Sequence, residues 1–291
     1  MLEKVTDRIY YMSHSDETDR PALGIIVGDK CCMVIDAGNS PRHAKDFLKE
    51  IKEMGFPEVK YLVITHHHWD HVFGINEWEA VSIASQKTYE YMKTYCNLKY
   101  DDISLEEAKM NHIFKDFSIN CLKQEIEHMD ALKLNNFDIS YCGEMTIDLG
   151  NVTCIIREIP SPHTEDSTIV YVPEEKSLFL GDCVYGYNSQ GFNYYDRELM
   201  EQVIRLIEAY DAEHYLCSHE SICSRDEMIS YFNQLRMGAE MTKGCNNLEK
   251  SIAKYKNAYQ SEPNDEDLYF IKSFGTGEGW GRSGDMKQEI F

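Results

Sequence analysis

No run in this 291-residue sequence is apolar for long enough to cross a bilayer. The longest apolar runs, such as residues 24–27 and 61–64, are strand-length, against roughly 20 residues for a spanning helix. The opening stretch, MLEKVTDRIYYM, lacks the cationic region, apolar stretch and small-residue cleavage site of a secretory leader. Basic residues are scarce: 29 Lys and Arg stand against 50 Asp and Glu, a net charge of −21. Such a surface repels phosphate backbones and anionic membranes, so neither nucleic acid nor membrane is expected as a partner. There is no C-x-x-C pair among the ten cysteines, and several of them sit inside apolar strand-like runs. We read them as reduced, structural thiols in a cytoplasmic protein. No internal repeat of solenoid period is present, which excludes a stacked-repeat architecture.

What the chain does have is core. Apolar residues make up 43% and aromatic residues 12%, enough to fill one large α/β domain with an insertion. Short β-rich runs at residues 8–12, 23–28 and 31–36 include a Gly28-Asp29-Lys30 turn that suggests a hairpin. Ser40-Pro41 then opens a helix to about Met54, with Ala44, Phe47, Leu48 and Ile51 at helical spacing and Gly55 as the stop. A buried strand follows at residues 60–65. Residues 85–137 read as a helical insertion, with helices over 86–95, 104–114 and about 117–129. Strand periodicity returns at 144–148, 152–159, 168–172 and 177–181. A helix is expected at 197–210, a strand at 213–217, and helix again from 224 to about 259, broken near Gly244. The Gly-rich segment GTGEGWGRSG closes the chain.

The chemistry gathers where the strand at 60–65 ends. Residues 65–74 read THHHWDHVFG, and four of the chain's eleven histidines fall among six consecutive residues. The H-x-H-x-D-H spacing presents imidazole nitrogens and a carboxylate from one short loop, a donor set that zinc, iron and manganese accept. A merely His-rich polar loop is a poor account of that clustering. His67, between two ligand positions, is expected to point elsewhere.

This pattern resembles the signature of the metallo-β-lactamase superfamily, and further elements follow in the family's order over about residues 5–222. Asp36, ending CCMVID, matches an Asp that supports the ligand loop. His163 in SPHTEDS matches the third histidine, Asp182 in LFLGDC a bridging carboxylate, and His219 in YLCSHE the last ligand. The resemblance implies a four-layer αβ/βα sandwich over residues 1–223, with the insertion at 85–137 and a helical extension at 224–291 packing on it. It implies two divalent transition-metal ions, zinc first, with iron or manganese also accepted. His66, His68 and His163 would hold one ion, Asp70, His71 and His219 the other, and Asp182 both.

The implied activity is hydrolysis by a bridging hydroxide of a small carboxyl derivative: a lactone, thioester or related ester or amide. Asp70 is a candidate to protonate the leaving group. Tyr185, three residues past Asp182, is a candidate oxyanion donor, since relatives that open acyl lactones carry a tyrosine at that offset. The GHTPGS-like loop of the family is here Pro162-His163-Thr164-Glu165-Asp166-Ser167, stiffer and more acidic. For a thioesterase, Arg225, Arg236 and Lys243 are the candidates to grip a substrate carboxylate. A phosphodiesterase of the same fold, or a regulatory protein that keeps its metals without turnover, are the alternatives. The expected partner is a small-molecule substrate, and homo-oligomerisation is left open.

Overall fold

The computed structural model describes residues 2–189 and 192–277. In chain order the strands begin with β1 (Glu3–Lys4), β2 (Ile9–Met12), β3 (Leu23–Val27), β4 (Cys32–Ile35), β5 (Val59–Val63), β6 (Val81–Ser85) and β7 (Ile139–Tyr141). These form one seven-stranded sheet in sequence order. Its first half is antiparallel; from β4 onward the pairs are parallel. Next come β8 (Glu144–Asp148), β9 (Thr153–Glu158), β10 (Thr168–Val172), β11 (Ser177–Gly181), a small hairpin of β12 (Tyr187–Ser189) and β13 (Phe192–Tyr194), β14 (His214–Cys217) and β15 (Cys223–Ser224). The second sheet runs β15-β14-β11-β10-β9-β8, with β11 and β14 parallel. The helices are α1 (Pro41–Met54), α2 (Trp69–Val72), α3 (Gln86–Asn97), α4 (Asp102–Met110), α5 (Asp116–Glu125), α6 (Arg197–Glu208), α7 (Arg225–Thr242), α8 (Leu248–Tyr259) and α9 (Asp265–Gly277).

Three buried clusters define four layers. Ile26, Met33, Val63 and Ile83 of the first sheet meet Ile156, Val170, Phe179 and Leu216 of the second. The outer face of the first sheet, through Leu62 and Ile64, packs on α1, α3, α4 and α5 by Phe47, Tyr95, Leu105 and Leu122. The outer face of the second packs through Leu178 and Tyr215 on α6, α7 and α9 by Val203, Phe232 and Phe270. This is the αβ/βα sandwich expected from the sequence. Each sheet buries both faces, which is why its central strands read as continuous apolar runs.

Local chemistry accounts for most boundaries. The Ser40 side chain caps α1 by accepting from His43 N, Pro41 occupies the first turn, and Gly55 closes it at φ 68°. The break near Gly244 is real, with α7 ending at Thr242 and α8 starting at Leu248 under an Asn247 cap. Several elements differ from expectation. The short strands β6 and β7 extend the first sheet where none was expected, and α4 begins at Asp102, two residues early, on an Asp101 cap. The first residues of the Gly-rich segment belong to α9, whose Phe270, Ile271 and Phe274 are buried. Residues 278–291, with Trp280, lie outside the described residues. Among the described residues no disulfide forms, and no helix is long and apolar enough to cross a membrane.

Candidate metal centre

Parallel pairing of β4 with β5 and of β11 with β14 brings four strand ends to one edge of the sandwich. Every sequence-derived ligand follows such an end or the neighbouring β9–β10 loop. After β5 the chain passes Thr65, His66, His67 and His68 and enters α2. There Trp69, Val72 and Phe73 bury in the core while Asp70 and His71 turn inward, 5% and 0% exposed. Asp36 sits in the left-handed region at φ 64°, which swings its carboxylate under the ligand loop. It accepts from Thr65 N at 2.8 Å and from the Thr65 hydroxyl at 2.9 Å, and lies 2.8 Å from His71 Nδ1. Gly181, at φ 54°, places its α-carbon where any Cβ would stand 2.7 Å from Thr65, and so delivers Asp182 beside the same loop. Ser161 orders the third loop, accepting from His163 N at 3.0 Å and donating to Cys183 O at 3.0 Å.

Two groups result. His66, His68 and His163 form one; Asp70, His71, Asp182 and His219 form the other, the donor atoms of each lying within 4.8 Å of one another. Asp182 Oδ2 stands between them, 3.3 Å from His163 Nε2, 3.8 Å from His66 Nε2, 3.6 Å from His71 Nε2 and 3.5 Å from His219 Nε2. His66 Nε2, His71 Nε2 and Asp182 Oδ1 are buried without a hydrogen-bond partner. Orphaned donors and acceptors of this kind are costly unless something satisfies them. Lone pairs converging from imidazole and carboxylate suit a divalent transition-metal ion, so the residues present fit metal binding.

The electrostatics of the groups differ. Burial pushes His66 and His68 well below the ordinary imidazole value and His163 below it. Burial pushes His71 and His219 the same way, but Asp70, Asp36 and Asp182 carry His71 well above that value, as Asp182 and Asp70 do His219. The same imidazoles hold Asp70 and Asp182 well below the carboxylate range despite burial. Tyr185 lies over this edge, its ring 6.4 Å from that of His163 and 6.3 Å from that of His219. Its hydroxyl accepts from His219 N at 3.3 Å, and burial pushes the phenol well above its ordinary value.

His67 turns away from the ligands as expected. Its ring stacks on Tyr91 at 4.2 Å, and its N–H and Nδ1 lie 2.8 and 3.0 Å from the carboxylate of Asp166. Asp166 carries no role in the sequence reading, yet it is 1% exposed and also accepts from the Thr88 and Thr164 hydroxyls at 2.8 and 2.6 Å. It ties the loop of His66 and His68 to that of His163. The HTEDS stretch carried the only cue, an acidic residue in place of a small one. Of the residues expected to grip a substrate carboxylate, Arg225 pairs with Asp211, and Arg236 chelates Glu208 at 2.7 and 2.8 Å while reaching Glu201. Lys243 caps the end of α7.

Comparison with known proteins agrees with this geometry. Residues 21–102 match the model of the metallo-beta-lactamase superfamily. Among solved structures, a metallo-beta-lactamase from Pontibacter korlensis superposes with a TM-score of 0.53 at 18% identity, covering 80% of this chain and 97% of that one. The DIM-1 metallo-beta-lactamase gives 0.55 at 16%, covering 80% and 95%. A double mutant of the sec-alkyl sulfatase PisA1 gives 0.64 at 14%; it covers all of this chain, which spans 52% of that one. No curated protein matches in sequence. The fold is the metallo-β-lactamase fold, and residues 21–102 are similar in sequence to the metallo-beta-lactamase superfamily. That likeness and the His/Asp cluster fit a metal-dependent hydrolase.

Proposed function

We propose that the chain is a dinuclear hydrolase acting on a small carboxyl derivative such as a lactone, thioester or related ester or amide. The observation that carries this reading is Asp182 standing between two complete donor groups, with a protonated phenol, Tyr185, above the same edge. Two divalent ions bound there, zinc by default, would bring a water's pKa from ~15.7 towards neutrality and polarise the scissile group. His66, His68 and His163 would hold one, Asp70, His71 and His219 the other, and Asp182 both.

The chain's own residues supply the rest. Tyr185 receives the His219 N–H and has its own proton to donate to an oxygen that gains charge as a carbonyl is attacked. Asp70, a member of the second group, would be the carboxylate that passes a proton to the leaving group. The Asp36–His71 contact fixes that imidazole with Nε2 toward the cluster.

The test is kcat for wild type and Tyr185→Phe on a matched lactone and phosphodiester. Losing one oxyanion donor typically costs on the order of 10² to 10³ in kcat. Sharing the role with an ion reduces that to about tenfold to a hundredfold on the lactone. A phosphodiester spreads its charge over several oxygens and should lose little. Faster wild-type turnover of the phosphodiester would replace this reading with the phosphodiesterase one. Turnover of neither by metal-loaded protein would favour a regulatory role.

A further inference from the structure

The connection between β2 and β3 brings a further carboxylate, that of Asp19, to the site. Ser15 and Arg20 exchange backbone hydrogen bonds of 2.9 Å, closing a turn in which Asp19 adopts φ 56°. Both neighbours of Asp19 are anchored. Arg20 donates from Nε and Nη2 to the two carboxylate oxygens of Glu125 at 2.8 Å each, and the Thr18 hydroxyl donates to Glu125 as well. Asn39 Nδ2 donates to Thr18 O at 2.8 Å, and Ala22 N donates to Ser218 O at 2.6 Å, next to His219. Thus held, Asp19 Oδ1 lies 3.7 Å from His219 Nδ1, while His219 Nε2 faces Asp70 at 3.2 Å and Asp182 at 3.5 Å.

The two groups of ligands are therefore backed differently. His71 and His219, in the group with Asp70, each have a carboxylate facing Nδ1: Asp36, hydrogen-bonded at 2.8 Å, and Asp19, in a charge contact at 3.7 Å. In the other group His66 Nδ1 meets the Thr65 hydroxyl at 3.2 Å and His163 Nδ1 meets Gly186 O at 3.2 Å, both neutral. The geometry points to Asp19 as a positioning residue for His219, set in place by Glu125 of the inserted helix α5. A carboxylate facing the far nitrogen favours the proton there by its charge, which leaves Nε2 free to ligate and makes the imidazole a stronger donor, an effect worth about 10- to 100-fold in metal affinity. The insertion thereby builds one half of the centre. This inference rests on the dinuclear reading.

The experiment removes zinc from metal-loaded protein with a chromophoric chelator and counts equivalents released against chelator concentration. Asp19→Gly deletes the carboxylate while accepting φ 56° without strain, and Asp19→Asn keeps shape and left-handed tolerance without the charge. In Asp19→Gly one equivalent should leave about 10- to 100-fold more readily and the other as in wild type. Asp19→Asn should lie between, because its amide oxygen still presents a partial negative charge to Nδ1. Two wild-type equivalents with unchanged release in Asp19→Gly would overturn the inference alone, as would equal weakening of both. A wild type that holds a single equivalent would overturn the dinuclear reading, and this inference with it.

Discussion

Replacing Glu125 by Gln tests how the inserted helices are locked to the ligand edge. The Glu125 side chain is 2% exposed and takes two hydrogen bonds from Arg20, with others from Thr18 and Ser40. Burial alone would raise its pKa, but Arg20 and the hydroxyls overcome that and bring it down to about 2, from an ordinary 4.5. A folded-state value below the unfolded one means the contribution is complete well above pH 4.5 and is lost as the pH falls through about 2. At ~1.4 kcal/mol per unit this amounts to about 3 kcal/mol at pH 7 and roughly half of that at pH 3. Gln keeps the shape and loses the charge, and Arg20 retains Asp46 at 3.0 Å, so its guanidinium is not stranded. The assay is denaturant unfolding of wild type and Glu125→Gln from pH 7 to pH 3, read as the difference in unfolding free energy. That difference should shrink by about half across the range. A difference constant with pH, or one below about 1 kcal/mol at pH 7, would refute the claim that this buried carboxylate anchors the edge.

Two further substitutions follow from the geometry. Asp166→Ala strips the shared acceptor from His67, Thr88 and Thr164, so one zinc equivalent should be held about 10- to 100-fold more weakly in chelator competition, with the other unaffected. Gly28→Ala would put a Cβ 2.2 Å from the backbone oxygen of Leu149, and thermal unfolding should report a loss of at least about 1–3 kcal/mol, with metal content per folded chain unchanged.

The parts of the fold legible in the sequence are those with local causes. The limits of α1 follow from Ser40, Pro41 and Gly55, and β8, β10 and β11 fall where strand periodicity places them. The ligands could be found one after another because each follows a strand or lies in the loop between two. β7 has too few residues to show a period, and both it and β6 pair with strands elsewhere in the chain. Helix α9 was hidden by the Gly-rich stretch it enters, although Asn264 and Asp267 cap its start reciprocally at 2.8 and 3.2 Å. Asp19 and Asp166 escaped for a different reason. Each acts on a histidine far away in sequence, at a distance only the assembled sandwich defines.

Elemental analysis of purified, metal-reloaded wild type beside Asp182→Ala bears most directly on the central claim. Asp182 Oδ2 is within 3.8 Å of an imidazole nitrogen from each of four histidines, so its loss should disturb both groups at once. Wild type should carry about two transition-metal ions per chain, and Asp182→Ala should lose metal more completely than a His66→Ala control, along with all turnover. Wild type free of metal after reloading, or Asp182→Ala with full metal content and activity, would contradict the account.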